Sequence, residues 1–320
     1  AIPPTIEMVG LLAQIIMNEY EIVIIGGGPA GLSAALYTSR AQKKTLILNK
    51  SEEGAIKKVE VLDNYLGFPD GISGKEFLEL AKRHIRNFGA EIVEEEALFI
   101  KQDFEGSGYI VETAENSYKA KGLVIATGVK HDRPRIGNIG KFEGLGVSYC
   151  VTCDGFFFRD SKVAVLGFKD YGAKEAVELL NYTKNIVLLT NGRTIEIRDR
   201  LRQKLEENDI TIIEDKIEEI LGDKAVNGVK FENGKTIELK GIFIAVGTSG
   251  ATDFARTLGI QIEGNAIKVD SSNSTGIPLV YSAGDCTGGN KQVAIAVGEG
   301  ANAAINLISE LKGTKYVDYH

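Results

Sequence analysis

Apolar residues in this chain fall into short runs that end at glycine, and the order of those runs repeats. Tyr20-Glu21-Ile22-Val23-Ile24-Ile25 is β-branched and closes at Gly26, as a buried parallel strand does. Gly26-Gly27-Gly28-Pro29-Ala30-Gly31 follows, then an Ala- and Leu-rich stretch from Leu32 to Arg40 that predicts a helix. A second strand at Thr45 to Leu48 completes a βαβ unit. Alternating segments near 92–100, 108–113 and 117–120 predict a small meander, and Gly122-Leu123-Val124-Ile125-Ala126-Thr127-Gly128 closes the unit.

The same order returns further on. Lys162 to Gly167 reads as a strand ending in glycine, Gly172 to Leu180 as a helix, and Asn185 to Thr190 as the next strand. Turn signals at Gly222, Gly228 and Asn233-Gly234 predict a second meander. Gly241-Ile242-Phe243-Ile244-Ala245-Val246-Gly247 closes it in a pattern close to 122–128. The repeat predicts an α/β fold of two Rossmann-like, three-layer dinucleotide-binding domains. After the second unit some 70 residues remain, with Ser282-Ala283-Gly284-Asp285 and a helical stretch from Val293 to Leu311. They are too few for a third such domain, so the simplest architecture returns them to the first domain and leaves the second as an insertion. The expected division is a tail at 1–17, the first domain at 18–128 and 248–320, and the inserted domain at 129–247.

Composition narrows the function. The 320 residues hold 37 basic and 44 acidic side chains, a net charge of −7, with no long basic block. Nucleic acid is therefore not an expected partner, because phosphate neutralisation needs a concentrated basic surface. No apolar run reaches the roughly 18–20 residues that span a bilayer, so no membrane partner is expected. Three cysteines do not make a secreted disulfide scaffold, and a reducing, cytoplasmic compartment is expected. The apolar stretch from Val9 to Ile16 lacks a basic n-region, which disfavours a signal peptide. Met17 directly precedes the first strand, so residues 1–16 read as an appended or alternative start, or as a tail without function.

Candidate chemistry sits in three places. Cys150 and Cys153, within Tyr149-Cys150-Val151-Thr152-Cys153-Asp154-Gly155, are spaced to close a small disulfide ring. Such a ring lowers one thiol pKa, and the thiolate is the reactive form. A CxxC is also half of a zinc site, but the only other cysteine is Cys286 and the histidines, His84, His131 and His320, are scattered. No metal is expected. The first glycine motif has Gly26 for the tight turn, Gly28 for backbone approach to a pyrophosphate, and Gly31 for helix–strand packing. Asn49 stands where an acidic ribose ligand is usual, with Glu52 or Glu53 as substitutes. The second motif is altered: in Gly167-Phe168-Lys169-Asp170-Tyr171-Gly172, Lys169 occupies the place of the middle glycine. No arginine cluster for a 2′-phosphate follows, only Arg193, Arg198 and Arg200. This turn predicts a domain that keeps the fold and has lost the nucleotide; the alternative is a new phosphate site made by Lys169 and Arg193.

Taken together these motifs resemble the low-molecular-weight thioredoxin reductases over residues 18–315. The marks are the first glycine motif, Asp63-Asn64-Tyr65-Leu66-Gly67-Phe68-Pro69, Ala126-Thr127-Gly128, the CxxC with Asp154 and Gly155, Ala283-Gly284-Asp285, and Lys291-Gln292 before the last helix. The resemblance implies FAD bound by Gly26, Gly28, Ala30 and Gly31, with Asn64 near the ring, Thr127 and Gly128 beside it, Gly284 and Asp285 at the ribityl chain, and Lys291 and Gln292 at the pyrimidine edge. It implies a redox disulfide of Cys150 and Cys153, the second facing the flavin and the first exchanging with a thioredoxin-like protein. Asp154 becomes the acid/base partner of the thiols, or else a turn residue before Gly155. It also implies a homodimer, and an insertion that rotates on Thr127-Gly128 and Val246-Gly247. Departures lie in the nicotinamide half: Gly167, Lys169, Gly172 and Arg193 leave NAD(P)H binding doubtful, and Thr248 to Thr252 replace the family's His-x-Pro-Asn-Thr. The expected activity is thioredoxin reductase-like electron transfer from reduced flavin. Its alternatives are a disulfide reductase with another donor (NADH, a protein or a small molecule) and a flavin-bound redox sensor with little turnover.

Overall fold

In the computed structural model, residues 18–50, 54–104, 108–129, 134–247 and 250–318 are described. The elements in chain order are β1 (Asn18–Ile25), α1 (Pro29–Arg40), β2 (Thr45–Leu48), α2 (Gly74–Arg86), β3 (Glu91–Val93), β4 (Phe99–Gln102), β5 (Tyr109–Glu112) and β6 (Ser117–Ile125). Then come β7 (Val147–Ser148), α3 (Val151–Asp154), β8 (Val163–Leu166), α4 (Asp170–Glu178), β9 (Ile186–Leu189), α5 (Asp199–Glu207) and β10 (Thr211–Ile213). A meander of β11 (Ile217–Gly222), β12 (Val226–Phe231) and β13 (Thr236–Glu238) precedes β14 (Gly241–Ile244). The chain ends with α6 (Ala251–Leu258), the small hairpin β15 (Ile262–Glu263) and β16 (Ala266–Ile267), β17 (Val280–Ser282) and α7 (Val293–Lys312).

Two sheets organise the molecule. The first runs β3-β2-β1-β6-β5-β4, with β17 added beside β6. Its register sets Ile24 between Ile47 and Val124, and Val124 beside Tyr281. The chain therefore returns to its first sheet after residue 280. The second sheet, β10-β9-β8-β14-β7, is parallel throughout. Buried Ile22, Ile24, Ala34 and Leu307 fill one face of the first sheet, and Val23, Ile25 and Phe254 the other. Against the first sheet α1 and α7 pack closely: a Cβ on Gly300 would stand 2.1 Å from the Ala30 carbonyl oxygen. Small residues let these helix backbones meet.

Three local expectations are corrected. The meander's last piece and the closing segment form one strand, β6, because its first half pairs with β5 and its second with β17. Gly228 lies inside β12 rather than at a turn; a Cβ there would meet the Ile237 carbonyl oxygen at 2.5 Å, so the cross-strand contact needs glycine. The helix after the second glycine motif starts at Asp170, two residues before Gly172.

Candidate active site

The first glycine turn is built for a bound group. At Gly26 the backbone takes φ +112°, and an added Cβ would stand 2.3 Å from the Ala126 carbonyl oxygen. Gly31 packs still more tightly, with an added Cβ 1.9 Å from the Gly26 carbonyl oxygen. Gly28 is different. A Cβ there meets no atom within 4 Å, so this backbone faces open space at the start of α1. Asn49 accepts a hydrogen bond from the Gly27 amide at 3.1 Å, so it braces the turn. Glu52 and Glu53 lie outside the described residues.

The open space is a cleft of about 940 Å³. Gly26, Gly28 and Ala30 line it from one side, Thr127 and Gly128 from the turn after β6, and Gly284, Asp285, Lys291 and Gln292 from the returning segment. Gly31 lies beneath the turn as a packing residue. Asn64 stands at the mouth, donating to Gln292 Oε1 at 3.1 Å. The Gly284 amide donates to Glu299 Oε2 at 2.7 Å, which fixes the approach of Asp285. Glu299 carries no motif that marks it in sequence. Lys50, paired with Glu96 at 3.0 Å, and residues 55–59 also line the cleft and were likewise not expected.

A dinucleotide fits this donor set. Thr127 Oγ1 is buried without a hydrogen-bond partner, a group that a ligand would satisfy. The open side of Gly28 and the N-terminus of α1 suit a pyrophosphate. The shape, the orphan hydroxyl and the helix end all point to the same occupant.

The second glycine turn is closed by its own chain. Gly167 and Gly172 are needed for packing against each other, since a Cβ on Gly167 would stand 2.7 Å from Gly172 Cα. Over the turn, the Glu196 amide donates to the Phe168 carbonyl oxygen at 2.7 Å, and Lys169 pairs with Glu196 at 3.5 Å. The Asp170 carboxylate accepts from the Arg198 amide at 2.8 Å and meets its guanidinium at 3.3 Å. Arg193 lies over the Phe168 ring. The segment around Glu196 and Arg198 thus folds over the turn, and Lys169 lines the first unit's cleft. Arg193 and Lys169 share the Phe168 ring.

A disulfide joins Cys150 and Cys153. Strand β7 ends at Ser148, so the pair sits at the carboxyl edge of the second sheet and opens α3. The Cys153 amide donates to Cys150 Sγ at 3.1 Å. Ser148 donates to Asp154 Oδ2 at 2.6 Å and accepts from the Cys150 amide at 3.1 Å, so Asp154 is anchored beside the pair. Cys150 is buried and Cys153 exposed, its sulphur 3.8 Å from the Arg256 carbonyl oxygen on α6. Neither cysteine lines the cleft. Here α3 is seated on α6, with Cys150 at the contact. Cys286 is a free, buried thiol near Ser282, and burial pushes its pKa up. Among the described residues, no group of His, Cys, Asp or Glu is placed to hold a metal ion, and no helix is long and apolar enough to cross a membrane.

A dinucleotide cleft in one α/β unit and a CxxC disulfide on the next define a two-electron disulfide oxidoreductase. The family model described as pyridine nucleotide-disulphide oxidoreductase matches residues 20–300. Thioredoxin reductase of Aquifex aeolicus is 32% identical over 309 residues, covering 93% of this chain and 95% of that one. The crystal structure of the atypical thioredoxin reductase TRi of Desulfovibrio vulgaris Hildenborough is 41% identical and covers 92% of this chain and 98% of that one, with a TM-score of 0.88. A ferredoxin–flavin thioredoxin reductase of Clostridium acetobutylicum is 30% identical over 93% of this chain and 100% of that one, with a TM-score of 0.68. The chain belongs to the pyridine nucleotide-disulphide oxidoreductase family, and within it to the thioredoxin reductases.

Proposed function

We propose that this protein is an FAD-dependent reductase of a thioredoxin-like protein whose electrons come from a donor other than NAD(P)H. The observation that carries the proposal is the contrast between the two turns. The first is open at Gly28 and faces a large cleft, whereas the second is occupied by Glu196, Asp170 and Arg198 of its own unit. Bound FAD supplies the electron pair. Gly26, Gly28, Thr127 and Asp285 hold and orient it, and Gln292 with Asn64 closes the mouth. The Cys150–Cys153 disulfide takes two electrons and two protons to become a dithiol, and then exchanges with the partner's disulfide through a mixed disulfide. Asp154, anchored by Ser148, is within the same short helix and serves as the proton partner of the thiols.

Because neither cysteine lines the cleft, the cycle needs a second position of the inserted unit. Gly128 and Gly247, with φ of +70° and +80°, are the hinges. We assign residues 129–247 to the moving unit and 18–128 with 248–320 to the fixed one. Phe156 and Phe157, 58% and 77% exposed beside Cys153, offer the partner an apolar contact. The reading extends to a homodimer in a reducing, cytoplasmic setting, supported by the family and by the low cysteine count, and checked by sedimentation and fractionation. The C. acetobutylicum relative is described as a ferredoxin–flavin enzyme, which makes a reduced ferredoxin the first protein donor to try.

Stopped-flow reduction of the flavin by NADPH, NADH and reduced ferredoxin tests the proposal. Slow or absent reduction by both nucleotides, with transfer from the reduced flavin to the Cys150–Cys153 disulfide, is expected. Rapid reduction by NADPH at micromolar concentration overturns it.

A further inference from the structure

The seat of the CxxC helix encloses a carboxyl that the disulfide chemistry leaves unused. Glu175 lies on α4 and is only 5% exposed. It borders a void of about 10 Å³ walled by Cys150, Val151 and Tyr171 of the moving unit, and by Phe99, Asp253 and Phe254 of the fixed one. Room for about one water at most is left between the two units. Two carboxyls, Glu175 and Asp253, therefore share one dry interface.

Their surroundings are unequal. Asp253 accepts from the Gly250 amide at 2.8 Å, at the start of α6, and meets Arg256 at 3.4 Å. Around Glu175 stand Lys174, Glu178 and Tyr171 on its own helix, Asp253 and Arg256 on α6, and the Val151 amide of α3. Lys174 is drawn toward Glu112 at 2.7 Å. Burial, then the Asp253 charge, push the Glu175 pKa up to about 8, against the opposing Val151 amide and Lys174.

We propose that Glu175 is a proton-binding positioning residue: the CxxC helix seats against α6 with a proton on Glu175, and that proton passes to solvent when the seat opens. This inference rests on the two-position reading given above. Its sign follows from linkage. An open carboxyl titrates near its ordinary value of about 4.3, whereas the seated one titrates near 8. The advantage of the seated position is complete at pH below the ordinary value and is lost as pH rises through about 8. In between, the seating constant falls by up to about tenfold per pH unit, or about 25-fold from pH 6 to 7.5.

Other charged groups also meet across the interface. Lys174–Glu112 and Arg198–Glu115 span it as ion pairs. Burial works against the charge on Glu112, yet Lys174 and Lys101 hold its carboxyl below the usual range. His84, the one described histidine, is on α2 beside Phe88 and away from the seat. The seat also keeps Cys150 covered, so its opening by pH governs access to that sulphur.

The test uses the full FAD-loaded chain, oxidised, with dyes on genetically encoded residues at exposed Asn87 and Glu206, one on each unit. Single-molecule energy transfer from pH 5.5 to 8.5 reads the seated fraction. Wild type is expected to lose seating as pH rises; Glu175→Gln, which keeps the shape and removes the proton, is expected to be flat; Asp253→Asn is expected to shift the midpoint to lower pH. A pH dependence unchanged in Glu175→Gln overturns the inference alone. A distance fixed at every pH in all three proteins overturns both the inference and the unit movement. If Glu175→Gln does not fold, infrared spectra of wild type decide: a protonated-carboxyl band that fades as pH passes 8 supports the inference, and its absence at pH 6 overturns it.

Discussion

Gly28 and Gly31 lie three residues apart in one motif, yet the structure assigns them opposite costs. At Gly28 an added Cβ meets nothing within 4 Å and projects into the cleft. Gly28→Ala should therefore leave the ligand-free fold intact and act on the cofactor alone. Each amide-to-phosphate hydrogen bond it displaces contributes about 1.5–3 kcal/mol, as charged hydrogen bonds do. Losing two amounts to ~3 kcal/mol or more, about a hundredfold or more in FAD affinity. At Gly31 the Cβ would stand 1.9 Å from the Gly26 carbonyl oxygen and 3.3 Å from Ile24 Cγ2. The first turn of α1 must move away from β1, an overpacking cost of about 1–3 kcal/mol or more. The ligand-free melting midpoint should fall by about 2–4 °C for each kcal/mol. Calorimetric titration of FAD into the ligand-free proteins, paired with thermal unfolding without FAD, separates the two effects. Wild-type FAD affinity in Gly28→Ala, or equal melting losses in the two ligand-free variants, would refute the reasoning.

Lys169→Gly should leave nucleotide use almost unchanged, because Glu196, Asp170 and Arg198 still close the turn; fast flavin reduction by NADPH in that variant would show that the lysine alone was the obstacle. Cys150→Ser and Cys153→Ser should each abolish disulfide reduction, whereas Cys286→Ser should leave it largely intact, since Cys286 is buried and bonded only to its own surroundings. In the single variants, trapping of a thioredoxin-like partner is expected through Cys150 in Cys153→Ser; mass spectrometry finding capture only through Cys153 would reverse the assigned order. Gly300→Ala should drive α7 off α1, since its Cβ would stand 2.1 Å from the Ala30 carbonyl oxygen. A loss of about 1–3 kcal/mol in denaturant unfolding is expected, and an unchanged midpoint would contradict that packing.

Features carried by neighbouring residues were legible in the chain. Strand, glycine turn and helix at 20–40 follow from a β-branched run, a fixed glycine spacing and an alanine-rich stretch, and β2 was located to the residue. The CxxC needs only its two-residue gap, and the departure of the second glycine motif shows in Lys169 at its middle position. Features made by distant partners were not legible. Gly122 looked like the start of a strand, but β5 and β17 pair with successive halves of β6 and carry it through. Glu175 falls in a stretch that reads only as a helix, with nothing to mark the carboxyl; α6 arrives from some 75 residues further along and faces it. Likewise the chain around Arg198 folds back over a turn 28 residues earlier, and the seating of α3 on α6 determines which cysteine faces water. Backbone propensity and glycine sterics act within a few residues and so can be read along the chain. Burial and the charge of a facing carboxylate act through space, and they exist only once the two units have met.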